Sequence, residues 1–317
     1  MHSNIPIRHH YIPQFLLRQF RNGEGYLGYC DKKSFETLNK KPEEVFMVRN
    51  LYRDTINNPG NPVQIENDFS KFEREASEII HKFFTEPEIT ISVEEEEKLK
   101  LFFALMGIRS KGAAEKFSQG LSEDSKKFYS VYQENGDFSD FWKRNLSLLV
   151  KCRSYTEVDN NPDIDKPIKI FMRRDTCGFM GLHFAIAEKR GQEDFIIGDS
   201  YPVEVSGFLN GNKAREYSIF PISSDRVLFM ADNILNVVWN NKKLSDFERE
   251  LKTIPPRSKD GKTIRYHVKK IYESDVKLLN AITFDGAEDG VAFKDRSKVS
   301  LSEYAEIYKN WTSSGEC

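Results

Sequence analysis

The chain has 317 residues, 47 Lys plus Arg against 49 Asp plus Glu, and 39% apolar residues, with 24 Phe and 13 Tyr among them. That much aromatic material excludes wholesale disorder, and a formal charge of −2 excludes a polycation that coats nucleic acid without a local basic patch. The length suits one compact domain over 1–317, with a core of ordinary size.

In chain order, residues 1–20 form an arm. Its end, Gln14–Phe20, is predicted to be helical behind Pro13, whose missing N–H costs nothing at a first helical position. Tyr26–Cys30 and Phe35–Leu38 read as a hairpin, Glu43–Met47 as a helical turn and Asn50–Asp54 as a short strand. Ile65, Phe69, Phe72, Ala76, Ile79, Ile80 and Phe83 recur at three- and four-residue steps and predict an amphipathic helix over Val63–Thr85. Ser92 and Glu95 form a capping box that opens a second helix through Leu99, Phe102, Phe103, Met106 and Phe117. Two further helices are expected at Ser125–Gln133 and Ser139–Lys151, closing a helical block at about 63–151. A polar connector, Asn160–Pro167, leads to a sheet-containing part at about 168–285, with strands at Gly181–Lys189, Phe195–Gly198, Ser218–Phe220 and Arg226–Met230. Asn233–Asn240 and Ser245–Lys252 (capped by Ser245), then Tyr266–Thr283 and Ser302–Trp311, read as helices. The expected fold is α+β, with long amphipathic helices packed on a small, mostly antiparallel sheet and the arm between them.

No apolar run reaches the roughly 18 residues of a membrane span, and the first residues lack a signal peptide's apolar segment. The cysteines at 30, 152, 177 and 317 form no CxxC pair. The expectation is a cytoplasmic protein with reduced, buried thiols, no membrane association and no preference as to oligomer. GxxxxGK[ST], GxGxxG, GxSxG and HExxH motifs are all absent, so no nucleotide cofactor is expected.

Five residues could carry chemistry. His10, just before a Pro-initiated helix, is a candidate base or ligand, with a flexible arm as the plainer reading. Glu73 lies two turns from Glu66 on an apolar helix face, where an acid must be paired, protonated or metal-bound; an ion pair to Arg74 or Arg109 is the plainer reading. Arg109 ends the apolar run Phe102–Ile108 and needs a planar anion, either phosphate or a carboxylate clamping two helices. Asp199 closes a strand, where carboxylates serve as ligands, bases or turn formers. Asn280, beside Leu278 and Leu279, reads as a buried amide that orients substrate or a carboxylate. His183 reads as a satisfied core or surface histidine. Basic clusters around Lys166–Lys169, Arg173-Arg174, Arg257–Lys262 and Lys269-Lys270 are either a phosphate-facing strip or solvated faces.

The run from His10 to Phe20 (His-Tyr-Ile-Pro-Gln-Phe-Leu-Leu-Arg-Gln-Phe) resembles the opening signature of domain-of-unknown-function family 4238. Asn50-Leu51-Tyr52, Ile65-Glu66 with Glu73, Phe195–Val203, Phe220-Pro221 and Lys277-Leu278-Leu279-Asn280 fit its later segments, so the resemblance spans roughly residues 8 to 285. The family's Ser-Asp-x-Pro is here Gly198-Asp199-Ser200-Tyr201-Pro202, with Gly before Asp and an extra residue before Pro. The resemblance implies an architecture and no settled activity.

The expectation that follows is a metal-assisted phosphodiester-cleaving enzyme on RNA or DNA, in defence or stress. His10, Glu73 and Asp199 would hold Mg²⁺ or Mn²⁺, Arg109 would neutralise developing charge and Asn280 would orient a ligand. Arg18, Arg173, Arg174 and Lys269 would bind the nucleic acid. The alternative is a non-enzymatic ligand- or partner-binding module in which the same polar residues form a structural clamp. A third reading is an enzyme acting on a small phosphorylated or nucleotide ligand.

Overall fold

The computed structural model describes residues 8–114, 138–209, 212–239 and 246–313. Phe117, the helix expected at Ser125–Gln133, Asn240, Ser245 and Cys317 lie outside them. The fold is α+β with mostly antiparallel sheets. Chain contacts divide it into two units: Met1–Tyr11, Phe46–Ile80 and Glu94–Thr176 form one, and Ile12–Val45, His81–Val93 and Cys177–Cys317 the other.

In the first unit, β1 (Arg8–His10) pairs antiparallel with β4 (Met47–Arg49), His9 opposite Val48. Asn50–Asp54, expected as a strand, is instead a turn: Asn50 takes φ 57°, a left-handed conformation that asparagine tolerates, and Arg53 N–H returns to its carbonyl. Asp54 then accepts the N–H groups of Ile56 and Asn57 and closes the next turn. Helix α2 (Gln64–Thr85) buries Ile65, Phe69, Phe72 and Ala76, as its periodicity requires. Helix α3 (Val93–Ile108) differs: Glu94 and Glu97 are exposed in its first half, but Leu101 through Met106 are buried consecutively, so its second half is enclosed all round. Helix α4 (Phe138–Leu149) adds Trp142, whose indole N–H donates to Ile108 O. Tyr52, Phe69 and Trp142 form one aromatic cluster, ring centroids 5.2–5.9 Å apart. Helices α5 (Tyr155–Asn160) and α6 (Lys166–Cys177) occupy the connector and the basic stretch after it.

The second unit holds two sheets. The larger runs β5-β11-β6-β10-β9-β8, from β5 (Glu88–Ser92), β11 (Thr263–Ile271), β6 (Leu182–Lys189), β10 (Arg226–Asp232), β9 (Asn212–Pro221) and β8 (Val203–Leu209). All its pairs are antiparallel except β11 with β6. The smaller sheet runs β3-β2-β12-β7, from β3 (Thr37–Lys40), β2 (Leu27–Asp31), β12 (Gly290–Phe293) and β7 (Ile197–Gly198). The helix expected over Tyr266–Thr283 is two elements. β11 alternates buried Ile264 and Tyr266 with exposed Arg265 and His267, a two-residue period, and only Glu273–Gly286 is helical (α9). Helix α9 places Val276, Leu279 and Ile282 in a core with Phe229, and Ala281 and Phe284 in a second with Val291 and Phe293. A final helix, Tyr304–Ser313, closes the second core with Tyr304.

Candidate functional site

A buried polar cluster of the first unit is built round Arg109. Helix α3 delivers this side chain from an apolar run, and it is fully buried. A buried guanidinium needs local acceptors, and each of its three nitrogens donates to one. Nη1 donates to Glu73 Oε1 on α2 at 2.5 Å, Nη2 to the main-chain carbonyl of His10 at 2.5 Å and Nε to Tyr52 Oη at 3.1 Å. Tyr52 Oη donates in turn to the carbonyl of Arg109 at 2.9 Å. The guanidinium lies 4.0 Å from the centroid of the Phe69 ring, a desolvated cation–π contact. Burial works against the Arg109 charge, and Tyr52 and Glu73 more than offset it, so the net shift favours the cation. Burial pushes the Tyr52 phenol up to about 12 although Arg109 pulls the other way.

His9 and Glu66 complete the cluster. His9 is fully buried, and its Nδ1 accepts the N–H of Tyr52 at 2.8 Å while the two rings stack 4° from parallel. Nδ1 therefore carries no proton. Glu66, one turn before Phe69, has a buried Oε2 with no hydrogen-bond partner among the described residues. Burial raises its carboxyl to about 7; Arg109 lowers it and Glu73 adds to the rise.

Of the residues predicted from sequence, this cluster gathers His10, Glu73 and Arg109, with His10 contributing its main-chain carbonyl. His9, Tyr52 and Glu66 belong to the cluster and were not among the predicted site residues. The signal available for Glu66 was its seven-residue spacing from Glu73; Tyr52 carried none beyond its place in a family-like segment.

Asp199 and Asn280 belong to the second unit, each within a network of its own. Asp199 accepts the N–H groups of Glu288, Asp289 and Gly290 at 2.7, 2.6 and 3.2 Å, fixing the turn before β12. Burial raises its carboxyl and those three bonds counter the rise. Asn280 Oδ1 accepts Ile196 N–H at 3.1 Å, and its amide nitrogen donates to Asp194 O at 2.8 Å and Tyr304 Oη at 3.0 Å. The same nitrogen lies 3.4 Å from Glu193 Oε1, which also accepts Tyr304 O–H at 2.5 Å and Ser300 N–H at 3.0 Å.

His183 is a satisfied core residue, bonded through its two ring nitrogens to Asn233 Oδ1 and Leu251 O at 2.7 and 2.9 Å. Arg18 is exposed and bonds Gln14; Arg173 is exposed; Arg174 pairs with Asp175 at 2.7 Å; Lys269 lies half-buried on β11. Arg18 and Lys269 fall in the second unit and Arg173 and Arg174 in the first. Among the described residues, no group of three or more His, Cys, Asp or Glu side chains is arranged to hold a metal ion, and no helix is long and apolar enough to cross a membrane.

A second buried arginine, Arg226, opens β10 in the second unit. It bonds Glu188 Oε2 through Nη2 and Nε at 2.6 and 2.9 Å, and donates through Nη1 to Phe83 O and Glu86 O at 3.0 and 2.8 Å, at the C-terminal end of α2. A cation there satisfies orphan carbonyls and complements the helix dipole.

The match that places the chain in a family is one of sequence, and it takes in the opening motif. The family model described as Protein of unknown function (DUF4238) matches residues 8–297, and the chain belongs to that family. No curated protein and no solved structure matches the chain.

Proposed function

We propose that the chain is a non-enzymatic ligand- or partner-binding protein, in which the Arg109 cluster locks the first strand to the helices. One observation carries this reading: every nitrogen of the buried Arg109 guanidinium is already committed to Glu73, His10 O or Tyr52. An arginine that neutralises charge developing on a phosphoryl group must reach it, and this side chain is only 1% exposed. Engaging Arg109 in that way would mean breaking a buried ion pair, which is strongly unfavourable.

The test pairs a stability measurement with an activity measurement. Glu73→Gln is expected to lower the melting temperature sharply, and the wild-type chain to leave labelled RNA and DNA intact with Mg²⁺ or Mn²⁺. Metal-dependent cleavage that Glu73→Gln abolishes at unchanged melting temperature overturns the proposal.

Glu66 favours a second reading, a phosphodiester-cleaving enzyme. A carboxyl raised to about 7 with an uncommitted buried oxygen is suited to acid–base work at neutral pH. Under that reading Glu66 would exchange the proton, and Mg²⁺ or Mn²⁺ would be recruited with the substrate. Activity lost in Glu66→Gln and retained in Arg226→Met would favour it.

A further inference from the structure

The second unit contains a half-open cleft of about 430 Å³. That lies within the range of small-molecule sites, about 300–1,000 Å³.

Its floor follows from strand register. Asn39 on β3 is opposite Gly28 on β2, and Gly28 is opposite Phe293 on β12. Cross-strand partners share a face, and Thr37, two residues from Asn39, shares it as well. Gly28 lets the Phe293 ring lie across β2: a Cβ at that position would stand 2.2 Å from a Phe293 ring carbon. The Phe293 ring is itself fully buried, so what the floor offers a ligand is an amide and a hydroxyl.

One wall is the segment that leaves β12, with Lys294, Arg296 and Lys298 in five residues. Asp295 caps its short turn by accepting Ser297 N–H at 2.9 Å, and Arg296 Nη1 donates to Val299 O at 2.9 Å. Asp194, the other acid of the cleft, is paired with Lys189. The ammonium groups of Lys294 and Lys298 make no hydrogen bond or ion pair among the described residues, so their donors are open to a ligand.

We infer that this cleft binds a small phosphorylated ligand with a neutral hydroxylated body, of the sugar-phosphate or nucleoside-monophosphate class. Three cations in this wall outnumber its one acid, Asp295, and leave it net positive, which suits an anionic group such as a phosphate. Their confinement to five residues suits a single phosphate better than a strand, which needs a basic track along its backbone. Asn39 and Thr37 would meet the body by hydrogen bonding.

The inference rests on the ligand-binding reading and can fail separately from it. Calorimetry on the full chain, with EDTA present, would use AMP, glucose 6-phosphate, inorganic phosphate, adenosine, glucose and a single-stranded oligonucleotide. Saturable binding of AMP or glucose 6-phosphate is expected, with none of adenosine or glucose. The double variant Lys294→Gln/Lys298→Gln should weaken it about tenfold or more at unchanged melting temperature, as expected when charge-assisted hydrogen bonds are lost. Asn39→Asp, which brings a like charge to the floor, should weaken it too. Asn39→Ala should weaken the organic phosphates and spare inorganic phosphate. Three results would overturn the site: no saturable binding of either organic phosphate, equal binding by the double variant and the wild type, or an affinity that only lengthening the oligonucleotide improves. A chain that cleaves RNA in the presence of metal yet binds AMP here would overturn the earlier reading and leave this one standing.

Discussion

Two buried arginines, one in each unit, meet the same requirement by different means. Arg109 leaves a helix and finds a carboxylate, a phenol and a strand carbonyl. Arg226 leaves a strand and finds a carboxylate and the carbonyls that end α2. The charge of Arg226 is balanced by Glu188 and by the negative end of a helix. The Arg109 cluster keeps one acid too many: Glu66 lies in the same field with a buried oxygen unbonded. The Arg109 cluster therefore takes up a proton near neutrality through Glu66.

Arg109→Met gives the largest expected loss, about 3–5 kcal/mol, because Glu73, Tyr52 and the His10 carbonyl are stranded together. Denaturant unfolding of the full chain measures it. A loss below about 1 kcal/mol would show that the cluster relaxes and is no lock. Arg226→Met should cost less, about 2–4 kcal/mol, since one of its carbonyl partners belongs to the exposed Glu86 and Glu188 retains Lys270 at 3.7 Å. If the two losses were reversed, the comparison would fail.

The third prediction concerns pH. The Glu66 carboxyl is raised in the folded chain, so the folded state binds the extra proton. Its contribution is fully present below the ordinary carboxylate value near 4.5 and is lost as pH rises through about 7. Stability should fall across that window by up to roughly 3 kcal/mol from this one group. Glu66→Gln should flatten the fall and be the more stable form at pH 8. A wild-type profile level from pH 4.5 to 8 would break the contrast between the clusters. The smallest effect is expected at the surface: Lys277→Gln removes a pair with Glu303 at 2.9 Å and should cost no more than about 0.5 kcal/mol.

What could be read from the sequence was what side-chain periodicity and type carry. The three- and four-residue spacing in α2 placed Glu73 on a buried stripe, and the apolar run of α3 marked Arg109 as needing an anion. Asn280 was legible as a buried amide serving a carboxylate, which proves to be Glu193. What escaped were main-chain partners. The His10 carbonyl accepts from Arg109, a role that the sequence, which drew attention to the ring, does not show. The three N–H groups held by Asp199 come from residues some ninety positions on, supplied by a turn with no motif. β11 was misread because Val268, Ile271 and Val276 fit a helical step as well as the end of one strand and the start of the next helix. The short strands β5 and β12 have too few residues to establish any period.

The place of β5 has a practical consequence. This strand lies between α2 and α3 in the chain, yet it covers one side of β11, opposite Ile264 and Tyr266. A fragment cut to begin at Cys177 would keep β6 and lose β5, leaving the backbone of β11 bare along that side. Bare strand edges recruit other chains, so such a truncation should aggregate unless residues 81–93 are supplied with it.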